Sequence, residues 1–543
     1  MGRDRPALTS GARAFGWALI AAIPIAFLGL FFVWPVAAVV GRGLGPGNES
    51  AFGDTVGRAA FARVAWFTVW QAAVSTLVTL VVALPGARLV ARLRFRGRRL
   101  VRALVTVPFV LPTVVVAGAF EGVFDRFGLD SGYLRLRHTV WAILLAHLFF
   151  NYAVVVRTVG SYWSGLDPRM EEQARLLGAG RWRTWREVTL PRLAPAISAA
   201  AAIVFLFSFT SFGVILVLGG PARATIETEI YRHAIVRTDL AAAASLAVVQ
   251  LAAVVALVVV ANRLERRRPG RERATARPAP ASAGELAGNI AVMALVLGVP
   301  IAILIERSLA GPGGYSLRNY GALFDRVSLL PAPATTALWN SFVYACAATA
   351  IALVVGGAAS LVVVYGRSWP SHLFDLGLTL PLGTSAVTIG LGVLIALDTP
   401  PFDLRTSTLI IPVAHAVVGV PFVIRTLVPV LRRIDHRMRE AAAVLGATPS
   451  RVRREIDLPI AGRGLAVGAA FAFAVSLGEF GATSFIPRRA ETLTAPLALF
   501  RLLGVPGDEP RGQAMALACI LMVMTAAAVI VIDRLGDTTE GTF

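Results

Sequence analysis

The residues of this 543-residue chain whose types and spacing could do chemistry come in two matched sets. Glu172, Ala174, Gly178, Leu190 and Pro191 form the first. Glu440, Ala441, Ala442, Gly446, Leu458 and Pro459 form the second, at the same spacing 268 residues later. Each set holds a single carboxylate with no second acid, nucleophile triad or metal cluster beside it, so they do not suit bond-making. They suit the display of a helix. Asp167-Pro168 and Asp435 are N-cap signals, proline being tolerated at a first helical position because its missing N–H has no partner there. The helix behind each is expected to run about ten residues, roughly 15 Å, until Gly178 or Gly446 closes it in the left-handed conformation. Thr448-Pro449 then opens a second short helix, with Gly180 in the corresponding place, and Leu-Pro is expected to end each segment just before the next apolar run. A polar segment repeated this faithfully in an apolar chain implies something that docks on it.

Other chemistries find little support. Cys346 and Cys519 lie in apolar runs, and the six histidines show no ligand spacing, so neither a disulfide framework nor a metal site is expected. Paired carboxylates and nucleophile triads do not emerge, and no cofactor is implied. All 52 basic side chains are arginine. A phosphate loop of the G-x-x-x-x-G-K-[ST] type needs a lysine to reach the β- and γ-phosphates, so this chain carries no such ATP site. The net charge of +20 invites a nucleic-acid reading, but the arginines fall in short loops between apolar runs rather than on one basic domain.

The elements that must position these residues are membrane spans. The composition is 56% hydrophobic and 15% charged, with mean hydropathy +0.70, against about 25% charged in soluble domains. Apolar runs of about 20 residues, each enough for a ~30 Å hydrocarbon core, recur near 15–40, 63–90, 101–123, 139–160, 193–218 and 240–262, and again near 288–306, 336–365, 373–397, 407–430, 462–485 and 513–532. The first is too long for a signal peptide and lacks a clear cleavage site, so it reads as an uncleaved span. The expected fold is an all-α membrane protein of about twelve transmembrane helices in two homologous six-helix halves, 1–262 and 288–543. A linker rich in Arg, Pro and Ala joins them over 263–287. Arginine asymmetry puts both termini, the linker and both repeated segments on the cytoplasmic side of the membrane. The same 268-residue offset pairs His147 with His415, Arg183 with Arg451, Glu187 with Glu455 and Ser208 with Ser476, as a parallel repeat requires.

The spacing Glu-Ala-Ala, three residues, Gly, then Leu-Pro resembles the EAA motif of ABC-importer permeases. Glu440-Ala441-Ala442, Gly446, Ile456 and Leu458-Pro459 match it in full; Glu172, Ala174, Gly178, Val188 and Leu190-Pro191 match it with Gln173 where alanine is usual. With the twelve-span layout the resemblance covers essentially the whole chain. It implies coupling helices that sit in clefts of separate ATPase subunits, two copies of them, and a periplasmic or lipid-anchored binding protein that delivers the cargo. It also implies alternating access, driven because the ATP-bound partner interacts differently with two conformations. The rival layout of twelve spans, a gradient-driven secondary transporter, carries an acid in the loop after its second span that Arg92-Leu-Arg-Phe-Arg-Gly-Arg-Arg99 lacks.

For the cargo route, Ser208-Phe-Thr-Ser211-Phe-Gly213 lines up with Ser476-Leu-Gly-Glu479-Phe-Gly481 in the fifth span of each half. Glu479 is then an acid within a span, which faces a cavity or a partner. It reads as lining for a cationic cargo, as a charge paired with an arginine near the outer end of the span, or as a residue at the interface. His147 and His415 read as hydrogen-bonding residues between helices, and Pro108, Pro112 and Pro381 as kinks in the third spans. The fused form and the string Ser211-Phe-Gly-Val-Ile-Leu-Val-Leu-Gly-Gly-Pro221 resemble the thiamine permeases, with ferric-iron permeases sharing much of the pattern. A thiamine cargo is the expectation and a ferric-iron cargo the alternative.

Overall fold

A computed structural model describes residues 10–45, 49–130, 135–266, 279–325, 330–365, 384–397, 407–486 and 490–536, with Tyr133 and Leu404. Helices dominate it, and the strands are two ladders of two residues each. Among the described residues ten helices are long and apolar enough to cross a membrane: Trp17–Leu44, Ala59–Arg92, Val140–Ser164, Arg181–Phe209, Leu240–Ala261, Ala283–Leu309, Ala334–Tyr365, Ile410–Arg432, Arg454–Gly478 and Asp508–Ile532. An eleventh is a bent pair, Leu100–Val110 and Thr113–Arg126, meeting at 103°. Leu111-Pro112 makes the corner: Pro112 has extended backbone and precedes the second helix, where a missing N–H costs nothing. The expected span 373–397 is described only from residue 384, as the short helix Ala386–Ala396, and Pro381 lies outside the described residues.

The described helices fall into two compact units that do not follow the order of the chain. One gathers Met1–Arg42, Thr335–Leu497 and Met524–Thr542; the other gathers Gly43–Ala334 and Ala498–Val523. The first span of each sequence half therefore packs in the unit built mostly from the other half. In the first unit, Leu28 and Phe32 are buried against Ala352, Val355, Val417, Val420 and Ala472. In the second unit, the helix Val299–Leu309 packs along Thr113–Arg126. Packing among apolar helices rewards close approach. A Cβ on Gly86 would lie 2.2 Å from the Tyr152 hydroxyl oxygen, and one on Gly390 would lie 2.7 Å from the Ala482 backbone.

The linker expected over 263–287 lies outside the described residues from 267 to 278. Its later end is tied down in the second unit, where Ala279-Pro280 pairs in parallel with Leu93-Arg94. Ser282 then caps the next helix by accepting the Glu285 N–H at 3.3 Å.

Candidate functional site

Each repeated segment forms the device its residues specify. Asp167 Oδ1 accepts the Arg169 N–H at 3.0 Å, and Asp435 Oδ1 accepts the Arg437 N–H at 2.9 Å. The helices they start, Arg169–Leu176 and His436–Val444, have eight and nine residues. Gly178 at φ +84° and Gly446 at φ +81° end them. The Gly178 N–H donates to the Arg175 carbonyl and the Ala179 N–H to the Ala174 carbonyl, both at 3.0 Å. In the second copy, Gly446 donates to Ala443 at 3.0 Å and Ala447 to Ala442 at 2.9 Å. This is the Schellman arrangement, and Ala174 and Ala442 supply its outer acceptor. No atom comes within 4 Å of a Cβ built on either glycine, so the backbone conformation, not crowding, demands glycine.

What the segments display was not foreseen. Leu176 and Leu177 are 86% and 88% exposed, and Val444 and Leu445 are each 87% exposed. They sit at equivalent positions, at the tip of a polar loop, with the half-exposed Met170 and Met438 one turn and a half behind. Each copy thus holds two adjacent apolar side chains out from its tip. Glu172 and Glu440 are exposed on the same helices. Arg183 and Glu187 (3.0 Å) and Arg451 and Glu455 (2.9 Å) form matched i,i+4 pairs just beyond.

One charge is inverted between the copies, Glu171 against Arg439, and both side chains turn inward. Glu171 lies 3.8 Å from Arg92. Arg439 donates to Asp457 at 2.8 Å and to the Tyr365 hydroxyl at 2.5 Å, with its guanidinium 5.2 Å from the centre of the Tyr365 ring. Burial works against the charge of Arg439, but its hydrogen bonds to Asp457 and Tyr365 outweigh it and hold the guanidinium above its ordinary pKa.

Leu190-Pro191 and Leu458-Pro459 do not end the segments. The helix runs from Arg181 through Pro191 to Phe209, and from Arg454 through Pro459 to Gly478. A π-turn precedes each proline, Trp185–Thr189 and Arg453–Asp457. Its wider ring makes room where a proline in a regular helix would clash with the carbonyl four residues back. The part of each repeated segment that follows its glycine turn thus runs on into a membrane span.

The fifth span of each half is itself broken, where the sequence suggested one run over 193–218 and another over 462–485. The first stops at Phe209 and resumes as Gly213–Leu218; the second stops at Gly478 and gives way to turns over 481–485. Ser208, Ser211, Ser476 and Glu479 all lie at these breaks, and all are buried. Glu479 binds the backbone that the break sets free: Oε1 accepts the Ala482 N–H at 2.7 Å, and Oε2 accepts the Thr483 N–H at 3.0 Å and the Thr483 hydroxyl. His415 completes the ring, with Nε2 at 2.7 Å from Thr483 Oγ1 and Nδ1 at 2.8 Å from Ser476 Oγ. A single donor order satisfies every atom: Ser476 to His415, His415 to Thr483, Thr483 to Glu479. In the first half Ser75 takes the Nδ1 of His147 at 2.9 Å, Gln71 donates to the Ser208 carbonyl at 2.8 Å and Asn151 to its hydroxyl at 3.3 Å. Both histidines join helices, as expected. Gln71, Ser75, Asn151 and Thr483 were missed; the i,i+4 spacing of polar residues within a span (71 and 75, 147 and 151) was the available signal for three of them.

Comparison with known proteins fits this geometry. Residues 83–268 match the family of binding-protein-dependent transport system inner membrane components. The thiamine transport system permease protein ThiP of Brucella abortus is 29% identical over 89% of both chains. Its Escherichia coli counterpart is 25% identical over 86% of this chain and 88% of its own. The sulfate transport system permease protein CysT of Salmonella typhimurium is 32% identical over 46% of this chain and 93% of its own length, so a relative with one half aligns with half of this chain. The chain therefore belongs to the inner membrane component family of binding-protein-dependent transport systems, as an ABC-importer permease with two fused transmembrane domains.

Proposed function

We propose that this permease imports thiamine, delivered by a periplasmic or lipid-anchored binding protein and driven by two copies of a separate ATPase subunit. The paired exposed knobs, Leu176-Leu177 and Val444-Leu445, carry the coupling half of this reading: each is an apolar tip on a capped helix that a glycine turn joins to the helix entering a span. Cargo identity rests on relatives described as thiamine permeases that align over most of the chain. Residues 1–262 and 288–543 act as the two permease halves and 263–287 as their link. Both termini and both docking segments face the cytoplasm, where the ATPase is. ATP binding draws the two ATPase subunits together, and because the spans are continuous with the docking segments, that closure rocks the helices toward an outward-open state. Glu172, Ala174, Gly178, Leu190, Pro191, Glu440, Ala441, Ala442, Gly446, Leu458 and Pro459 shape the docking segments. The cargo passes the breaks marked by Ser208, Ser211, Ser476 and Glu479, with Glu479 holding its break in shape rather than touching the cargo.

The test is uptake of radiolabelled thiamine into liposomes holding the permease with its ATPase, ATP inside and binding protein outside. Uptake that requires both ATP and binding protein is expected. Uptake of a ferric chelate with thiamine ignored would overturn the cargo, and thiamine uptake running on an ion gradient without ATP would overturn the coupling.

A further inference from the structure

The inverted pair at Glu171 and Arg439 suggests how each docking segment is attached to its own bundle. Arg92 is the last residue of the span Ala59–Arg92, and Tyr365 is the last residue of the span Ala334–Tyr365, the second span of each half. In one half an acid on the docking helix meets a base at that end, Glu171 with Arg92 at 3.8 Å. In the other a base on the docking helix meets the Tyr365 hydroxyl at that end and the acid Asp457, which stands four residues into the following helix stretch. The fifth span reaches back in the first half as well, where Arg192 donates to the Asp167 carbonyl at 3.1 Å, at the foot of the docking helix. All four tethering side chains of the two ion pairs are mostly buried, with 15% and 22% exposed for Arg92 and Glu171 and 23% each for Arg439 and Asp457. The exposed faces meanwhile carry the same residue classes at equivalent positions, Met170 and Met438, Glu172 and Glu440, Leu177 and Leu445.

We propose that Arg92–Glu171 and Tyr365–Arg439–Asp457 are tethers that transmit the movement of each docking helix to the ends of the second and fifth spans, built with opposite charge at one helical position. This rests on the docking reading above. Glu171 and Arg439 are then positioning residues: they touch neither ATPase nor cargo, and they decide how much of the docking helix's displacement reaches the bundle. An asymmetry visible in the sequence as two unlike docking helices becomes an asymmetry of anchorage behind two similar docking faces.

The experiment uses the full chain reconstituted with its ATPase and binding protein, with thiamine as the probe, and reads thiamine moved per ATP hydrolysed alongside ATPase co-purification. Glu171→Arg and Arg92→Glu singly should each lower that ratio by about tenfold while the ATPase still co-purifies, and the double exchange should return it to within about threefold of the wild type. Arg439→Glu and Asp457→Arg, singly and together, should behave alike in the other half, and Tyr365→Phe should give a smaller loss. A double exchange no better than its worse single, or singles that leave the ratio unchanged while the ATPase co-purifies, would overturn the tethers alone. A wild-type chain that captures no ATPase would overturn the docking reading and the tethers with it.

Discussion

Glu479 shows how far a residue's chemistry depends on the break it occupies. An acid in a membrane span invites a cargo role, yet its side chain is 4% exposed and its two oxygens accept three hydrogen bonds from its own turn. Ser211 stands at the same place in the first half, where the chain resumes as the helix Gly213–Leu218 and the Leu216 N–H returns to the Phe212 carbonyl at 2.8 Å. One half satisfies its freed backbone with a helical turn and the other with a carboxylate. Glu479→Gln would turn an amide NH2 toward the Thr483 N–H, placing donor against donor at a cost of about 1–3 kcal/mol. We expect a lower unfolding temperature in detergent and slower uptake, with the preference for thiamine over a neutral analogue unchanged. A variant that folds with normal stability but loses that preference would return Glu479 to the cargo route. This ring was not legible in the sequence, because His415 meets partners 61 and 68 residues away. Nothing local announces which of many span residues a histidine will face.

At the scale of the element, the docking segment was the most legible part of the molecule, because its cap, helix and glycine are local chemistry. Gly178→Val and Gly446→Val each force a β-branched residue into the left-handed region, costing about 1–2 kcal/mol and re-aiming the knob at the helix end. Because the knob precedes the glycine, what turns is the capped helix with its knob relative to the span, and thiamine uptake should fall by an order of magnitude or more while the spans still fold, as circular dichroism would report. Replacing Leu176 and Leu177 with aspartate leaves the cap intact and should abolish ATPase co-purification; retention of the ATPase would argue that the knobs are not the docking surface. The Leu-Pro signal misled for a physical reason. In a regular helix Pro191 would mark a stop, but a π-turn over Trp185–Thr189 lets the helix continue. Sequence periodicity registers an apolar helix and a proline, and it has no means of registering the one wide turn that reconciles them.

At the scale of the whole molecule, the repeat in the sequence and the packing of the helices divide the chain differently. The spans themselves were readable from hydropathy. Which unit each joins was not, since one apolar helix resembles another as a packing partner and the choice is made by shape, as where Gly86 receives Tyr152. A chain cut within 267–278 should therefore yield halves that are each unstable alone, because each lacks the span that the other supplies to its unit. Co-expressed, a tag on one half should recover both in equal amounts; a half that purifies alone with native stability would contradict the exchange. The last span carries this further, since its residues 508–523 fall in one unit and 524–532 in the other. During synthesis the ribosome releases Trp17–Leu44 into the bilayer hundreds of residues before its packing partners exist, and neither unit is complete until Asp508–Ile532 has been inserted. A chain that stops short of this helix thus leaves both units without a packing partner, so its loss should weaken the two together rather than one alone.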